Sequence, residues 1–176
     1  MIGRRAVLLA GLLSACGYRS VYAVPSEKLH VRLGKVSIAD ASVAAEVAHG
    51  ASEYLARESA LAAGEGFPVL EIDVLRIDES SEGIAATAPQ NGVPRARATR
   101  LGVVGRGVII PREGAAYSVD TGDVRASDLA AVPADPGVEL SARGDALRAV
   151  ARRLGQRLAA RALGHPTPVD IEAQDP

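Results

Sequence analysis

The spacing of apolar and polar residues changes several times along the chain, and each change marks an element. An unbroken apolar run spans Ala6 to Leu13. Further on, Leu29, Val31 and Leu33 alternate with His30, Arg32 and Gly34, and Val36 and Ile38 continue in the opposite phase. Period-two spacing predicts a half-buried strand, and the phase change predicts a bulge at Gly34-Lys35. Val43, Val47, Ala51, Tyr54, Leu55, Glu58 and Leu61 then fall at helical spacing, with Asp40 or Ser42 as candidate cap and Gly64 as the stop. Between Val69 and Ile77, Leu70, Ile72 and Val74 alternate with Glu71 and Asp73, the signature of a strand with one wet face.

Residues 79–94 lose the alternation and are rich in Ser, Gly, Pro and Asn, which predicts a long hairpin connection. Arg95 to Ile110 reads as a β-branched strand interrupted by Gly102, Gly105 and Gly107. Pro111 to Gly114 reverses the chain, Ala115 to Thr121 returns as a strand, and Val124 to Val132 predicts another short one. After a break at residues 133–137, Leu147, Val150, Ala151, Leu154 and Leu158 mark an amphipathic helix, with Ser141 or Asp145 as cap and Gly164 with Pro166 as its end. One strand, one helix, several strands and a last helix predict an α+β two-layer sandwich: a mainly antiparallel sheet with two helices packed on one side. The domain is expected over residues 29–164, with residues 165–176 as a disordered tail.

The first apolar run belongs to something else. Arg4 and Arg5 precede it and Ser14-Ala15 follow it, the layout of a secretory signal peptide over residues 1–15. The run is too short to span a hydrocarbon core, which takes about 20 apolar residues in a helix. Leu13-Ser14-Ala15-Cys16 has the form of a lipobox, an aliphatic residue and two small ones before a thiol. Cys16 is the single cysteine of the chain, so no internal disulfide can form, although export leads to an oxidising compartment. A lone thiol at a cleavage site reads as a lipid acceptor. Residues 16–28, aperiodic and interrupted by Pro25, then read as a lipidated tether, and the resemblance of Cys16-Gly17 to sorted lipoproteins, which carry a non-acidic residue after the cysteine, implies release to the outer membrane.

Charge and composition exclude some functions. Loss of Arg4 and Arg5 leaves 18 basic against 21 acidic side chains, a formal net charge of −3 on 161 residues, which gives no support to nucleic-acid binding. Four tyrosines, one phenylalanine and no tryptophan provide little for base stacking. No catalytic group is predicted: no Gly-x-Ser-x-Gly elbow is present, and Glu71 with Asp73 reads as a solvated strand face. Gly102-Val-Val-Gly105-Arg-Gly107 lacks the Lys-Ser/Thr pair of a phosphate loop. His30, His49 and His165 have no metal-ligand spacing, so neither a metal nor a cofactor is expected.

Arginine is the one charge feature. Arg143, Arg148, Arg152, Arg153, Arg157 and Arg161 flank the last apolar stripe, and Arg95, Arg97, Arg100 and Arg106 recur along the long strand. Guanidinium grips phosphate bidentately. Arg97 and Arg100 are therefore the candidate ligand-binding residues, whereas the helical arginines read as a solvated face.

Cys16-Gly17-Tyr18-Arg19 followed by Val21-Tyr22 resembles the mature start of the lipopolysaccharide-assembly lipoproteins of the LptE family, and the order of elements over residues 16–163 is similar to that family's sandwich. Ser20 and Ala23 depart from the Pro and Gly expected there. The resemblance implies a lipoprotein without enzymatic activity on the periplasmic face of the outer membrane. It would sit as plug and partner in a β-barrel translocon of the LptD type, bind lipopolysaccharide and hold to the membrane by acyl chains, palmitate among them, on Cys16. The alternative is an accessory lipoprotein of an envelope ABC-type lipid transporter, or a periplasmic scaffold.

Overall fold

Hydrogen bonding follows the predicted alternation closely in the first half of the chain. The computed structural model describes residues 27–84, 96–131 and 135–166. Its elements are β1 (His30–Val36), α1 (Ala41–Arg57), β2 (Val69–Ile84), β3 (Ala96–Ile110), β4 (Val119–Ala131) and α2 (Pro136–Ala162). The strands form one sheet in the order β1-β2-β3-β4. β1 runs parallel to β2, and the other two pairs are antiparallel. The parallel pair requires a crossover, and α1 supplies it.

Both helices cover the same face of the sheet. Leu70, Ile72 and Val74 of β2, Leu101, Val103 and Ile109 of β3 and Val124 and Ala126 of β4 join Val47, Ala51 and Leu55 of α1 and Val150, Leu154 and Leu158 of α2 in one core. Each fully buried Leu or Ile side chain contributes about 1.5–3 kcal/mol through lost apolar exposure. The helices cross in close contact: a Cβ on Gly50 would lie 2.0 Å from the Arg152 carbonyl oxygen, and one on Gly155 would lie 1.9 Å from that of Val47.

Several boundaries differ from the sequence pattern, each for a local reason. Asp40, rather than Ser42, caps α1 by accepting the Ser42 N–H. The helix ends at Arg57, well before Gly64, because Leu61 leaves the helical stripe to bridge Leu29 beside the start of β1. The bulge in β1, by contrast, lies between Leu33 and Val36, where the phase change at Gly34-Lys35 predicts it. Residues 79–84, read as part of a connection, continue β2 and pair with residues 96–101 of β3. Alternation is lost there because one side of the ladder is polar on its own account and the other carries Glu79, which binds Arg143 of α2.

The two strands predicted over 115–121 and 124–132 are a single strand, β4, bent by a bulge that sets two residues opposite Gly107. Gly122 holds φ 65° there, and the buried Thr121 hydroxyl accepts the Gly107 N–H at 2.8 Å. α2 starts earlier than predicted: Asp135 accepts the Gly137 and Val138 N–H groups and Pro136 occupies the first turn, so the apparent break is a cap. At the other end the Gly164 N–H donates to the Arg161 carbonyl and the His165 N–H to that of Ala160, with Gly164 at φ 73°. Glycine takes that left-handed conformation without a Cβ clash, and the chain turns sharply off the helix.

Candidate functional site

The face of the sheet turned away from the helices is lined with charge. Strand alternation brings Arg32 of β1, Glu71, Asp73, Arg76, Asp78 and Ser80 of β2, Arg100, Gly102, Val104 and Arg106 of β3, and Asp123, Arg125, Ser127 and Leu129 of β4 to this side. Arg32 donates twice to Glu71, at 3.0 and 2.6 Å. Arg76 donates to Asp78 at 3.1 Å, and Arg106 engages both carboxylate oxygens of Asp120. Each of the four strands therefore contributes to an ion pair on this face.

One contact spans three of those strands. Arg125 on β4 lies 3.6 Å from Asp78 on β2, and between them β3 presents Gly102. A Cβ at Gly102 would meet Nε of Arg125 at 3.0 Å, so the missing side chain gives the guanidinium its passage over β3. Next in register, Val104 is only 2% exposed although it lies outside the helix-covered core. Its cross-strand neighbours are Arg76 and Arg125. Long arginine stems lie along apolar surface while their heads stay wet, and this pair flanks the valine in register.

Arg100 lies on this face, half-buried between Ser80 and Leu129. Arg97 pairs its backbone with Gly83. The two positions are three apart in an uninterrupted register, so the ladder sets them on alternate faces and does not bring them together. Cys16, the predicted lipid acceptor, lies outside the described residues, as do the signal segment, most of the tether and residues 85–95.

The helical arginines do more than solvate a face. Arg153, Arg157 and Arg161, spaced four apart on α2, donate to the carbonyls of Ser127 at 3.4 Å, Arg125 at 2.8 Å and Thr121 at 3.4 Å on β4. Spacing of four puts the three on one side of the helix, directly over the outer edge of the sheet. Arg143 binds Glu79, Arg152 binds Glu46 and Arg153 binds Asp128. Only the fold reveals these roles, since every partner is distant in sequence.

Several of these carboxylates ionise more readily than usual. Asp120 is held below the ordinary carboxylate range chiefly by hydrogen bonds from Arg106, Asp128 by those from Arg153 and Glu79 by those from Arg143. A carboxyl whose pKa is depressed on folding stabilises the native state above its unfolded pKa, and that contribution is lost as the pH falls through the folded value. The melting temperature is therefore expected to be level near neutrality and to drop below about pH 4. Asp120→Asn should lower the neutral-pH plateau and make the drop shallower; an unchanged acid limb in a melting series would refute the assignment.

Remaining polar groups are satisfied locally. The His30 ring bonds to the Gly64 carbonyl at 2.8 Å, and the Tyr54 hydroxyl and His165 Nδ1 lie 2.9 Å apart. Among the described residues no three His, Cys, Asp or Glu side chains converge to hold a metal ion.

No protein-family model matches the chain, and comparison with curated proteins gives no match. Among solved structures, the fold is similar to that of a minor lipoprotein from Acinetobacter baumannii, with a TM-score of 0.51 and 13% identity over 78% of this chain and 93% of that one. A protein from Caulobacter crescentus described as a lipoprotein aligns at a TM-score of 0.48 and 12% identity, covering 76% of this chain and 88% of its own. Rare lipoprotein B from Shewanella oneidensis aligns at 0.40 and 9% identity, covering 83% and 99%. At such identities the likeness is one of fold.

Proposed function

We propose that this chain is an envelope lipoprotein, held by acyl chains on Cys16 to the periplasmic face of the outer membrane, that assists lipopolysaccharide assembly as the plug and partner of a β-barrel translocon. The anchor is supported by the Leu13-Ser14-Ala15-Cys16 lipobox with its single thiol, and by the fold shared with a protein named as a lipoprotein. The plug role rests on one observation, the charge-lined sheet face. A layer that no apolar element covers among the described residues, and that is filled with paired arginines and carboxylates, suits contact with a polar wall or with anionic headgroups. On this reading the protein carries out no chemistry and acts by binding.

The test is co-purification of the full-length lipoprotein from detergent-solubilised envelopes. A large β-barrel protein in stoichiometric amount is expected; an ATPase or a cell-wall synthase in its place would overturn the reading in favour of the transporter or scaffold alternative. Lipopolysaccharide binding separates the two candidate arginines. If the ligand tracks the open face, Arg100→Ala weakens binding by about tenfold, in line with about 1.5–3 kcal/mol for a hydrogen bond to a charged group, and Arg97→Ala has the smaller effect. Equal affinities for wild type and Arg100→Ala in a titration would remove Arg100 from the site.

A further inference from the structure

The two ends of the sandwich carry different apolar residues. Strand pairing sets the starts of β1, β2 and β4 and the end of β3 at one end: His30 stands opposite Val69, Val69 opposite Ile110, and Ile109 opposite Val119. The end of α1 joins them through the bond from the Leu29 N–H to the Ala60 carbonyl, and the end of α2 through the contact of Tyr54 with His165. All three Phe and Tyr side chains among the described residues lie here. Tyr54 is half-buried with Arg57 over its ring, Phe67 is 38% exposed ahead of β2, and Tyr117 is 58% exposed ahead of β4. Phe67 also lines a recess of about 330 Å³ together with Val31 and Val69. At the opposite end the exposed large apolar residues are aliphatic, Leu129 on β4 and Val138 and Leu140 in the first turns of α2.

The chain enters the domain at the aromatic end. Cys16 precedes Glu27 by 11 residues, which limits the distance from lipid to domain to about 40 Å. The other two aromatic residues of the sequence, Tyr18 and Tyr22, fall in that interval. Aromatic rings favour the headgroup level of a bilayer, where an apolar body meets a wet boundary. Exposed charges at this end are of both signs, Lys28 and Arg112 with Glu27, Glu65 and Glu113, beside the paired Arg57 and Glu58. Anionic lipid therefore gains no advantage over neutral lipid here.

We propose that, in the anchored chain free of a partner, this end rests on the bilayer surface with Phe67 and Tyr117 at headgroup level, which turns Leu129 and Leu140 to the aqueous side. Two rings hold little by themselves. The anchor makes the contact by keeping them beside the surface at high effective concentration. The inference rests on the Cys16 anchor of the proposed function and not on the barrel partner.

The sequence holds no tryptophan, so a single introduced one reports alone. Lipoproteins with Phe67→Trp, Tyr117→Trp or, as reference, Leu140→Trp are purified free of partners and reconstituted into phosphatidylcholine vesicles whose acyl chains carry bromine. Flotation with the vesicles reports the anchor, and circular dichroism reports the fold. Emission of Phe67→Trp and Tyr117→Trp is expected to fall about twofold and to shift to shorter wavelength, because rings at headgroup level lie within reach of the brominated chains. Emission of Leu140→Trp stays as in unbrominated vesicles, and added phosphatidylglycerol leaves this pattern unchanged. Protein that floats while all three reporters emit alike would overturn the contact and leave the anchor standing. Quenching of Leu140→Trp alone would set the opposite end on the bilayer and overturn the proposal too. Quenching that appears only with phosphatidylglycerol would refute a contact made by the aromatic rings. Wild-type protein that does not float would remove the anchor, and this inference with it.

Discussion

Alanine at Gly155 lowers the unfolding free energy by about 1–3 kcal/mol, the usual cost of forcing a group into a packed interface, while alanine at Gly144 of the same helix raises it by about 1 kcal/mol, the helix-propensity difference between the two residues. The opposite signs come from position alone. At Gly155 the added Cβ would lie 1.9 Å from the Val47 carbonyl oxygen and 2.7 Å from the Ala51 nitrogen, both backbone atoms that move only if α1 moves. At Gly144 the nearest group is the far end of Arg148, 3.8 Å away. Denaturant unfolding of the two variants with matched slopes measures the difference directly. If both variants were stabilised, the two helix backbones would not be in contact at Gly155. Gly50→Ala, whose Cβ would meet the Arg152 carbonyl, should behave like Gly155→Ala.

Purified free of any partner, Cys16→Ser is expected to pass from the detergent phase to the aqueous phase of a partition, with loss of metabolic palmitate labelling. Each buried methylene contributes about 0.8 kcal/mol and stable anchoring takes more than one chain, so removing the acceptor removes essentially all membrane affinity. No other thiol can substitute, because Cys16 is the single cysteine in the sequence. Among the described residues no helix is long and apolar enough to span a bilayer. Palmitate labelling that persists in Cys16→Ser would disprove the lipid-anchor assignment.

The sheet and the helices were legible in the sequence wherever one face of an element is apolar and the other wet. Leu70, Ile72 and Val74 against Glu71 and Asp73 defined the inner half of β2, and Leu147 to Leu158 defined the buried stripe of α2. The outer half of β2 was not legible, because polar residues there meet partners on both faces: Glu79 reaches a helix, and Ser80 stands opposite Arg100. The start of α2 was obscured because Asp135-Pro136 serves equally well as a chain break and as a helix cap.

For the charged face, the sequence announced which strand residues point outward but not which of them meet. Asp78 and Arg125 are neighbours only through the registers of two separate strand pairs and the absence of a side chain at Gly102. The same registers separate Arg97 from Arg100, two residues that their nearness in sequence had joined.

The arginines of α2 that bond to β4 make the two borders of the sheet unequal. A strand border offers carbonyl and amide groups that a foreign strand can pair with, and proteins protect such borders with charge or cover. Here the Thr121, Arg125 and Ser127 carbonyls are already engaged by three side chains, whereas β1 forms the opposite border. Growth of this sheet by strand addition at β4, whether in a productive complex or in aggregation, is thereby obstructed.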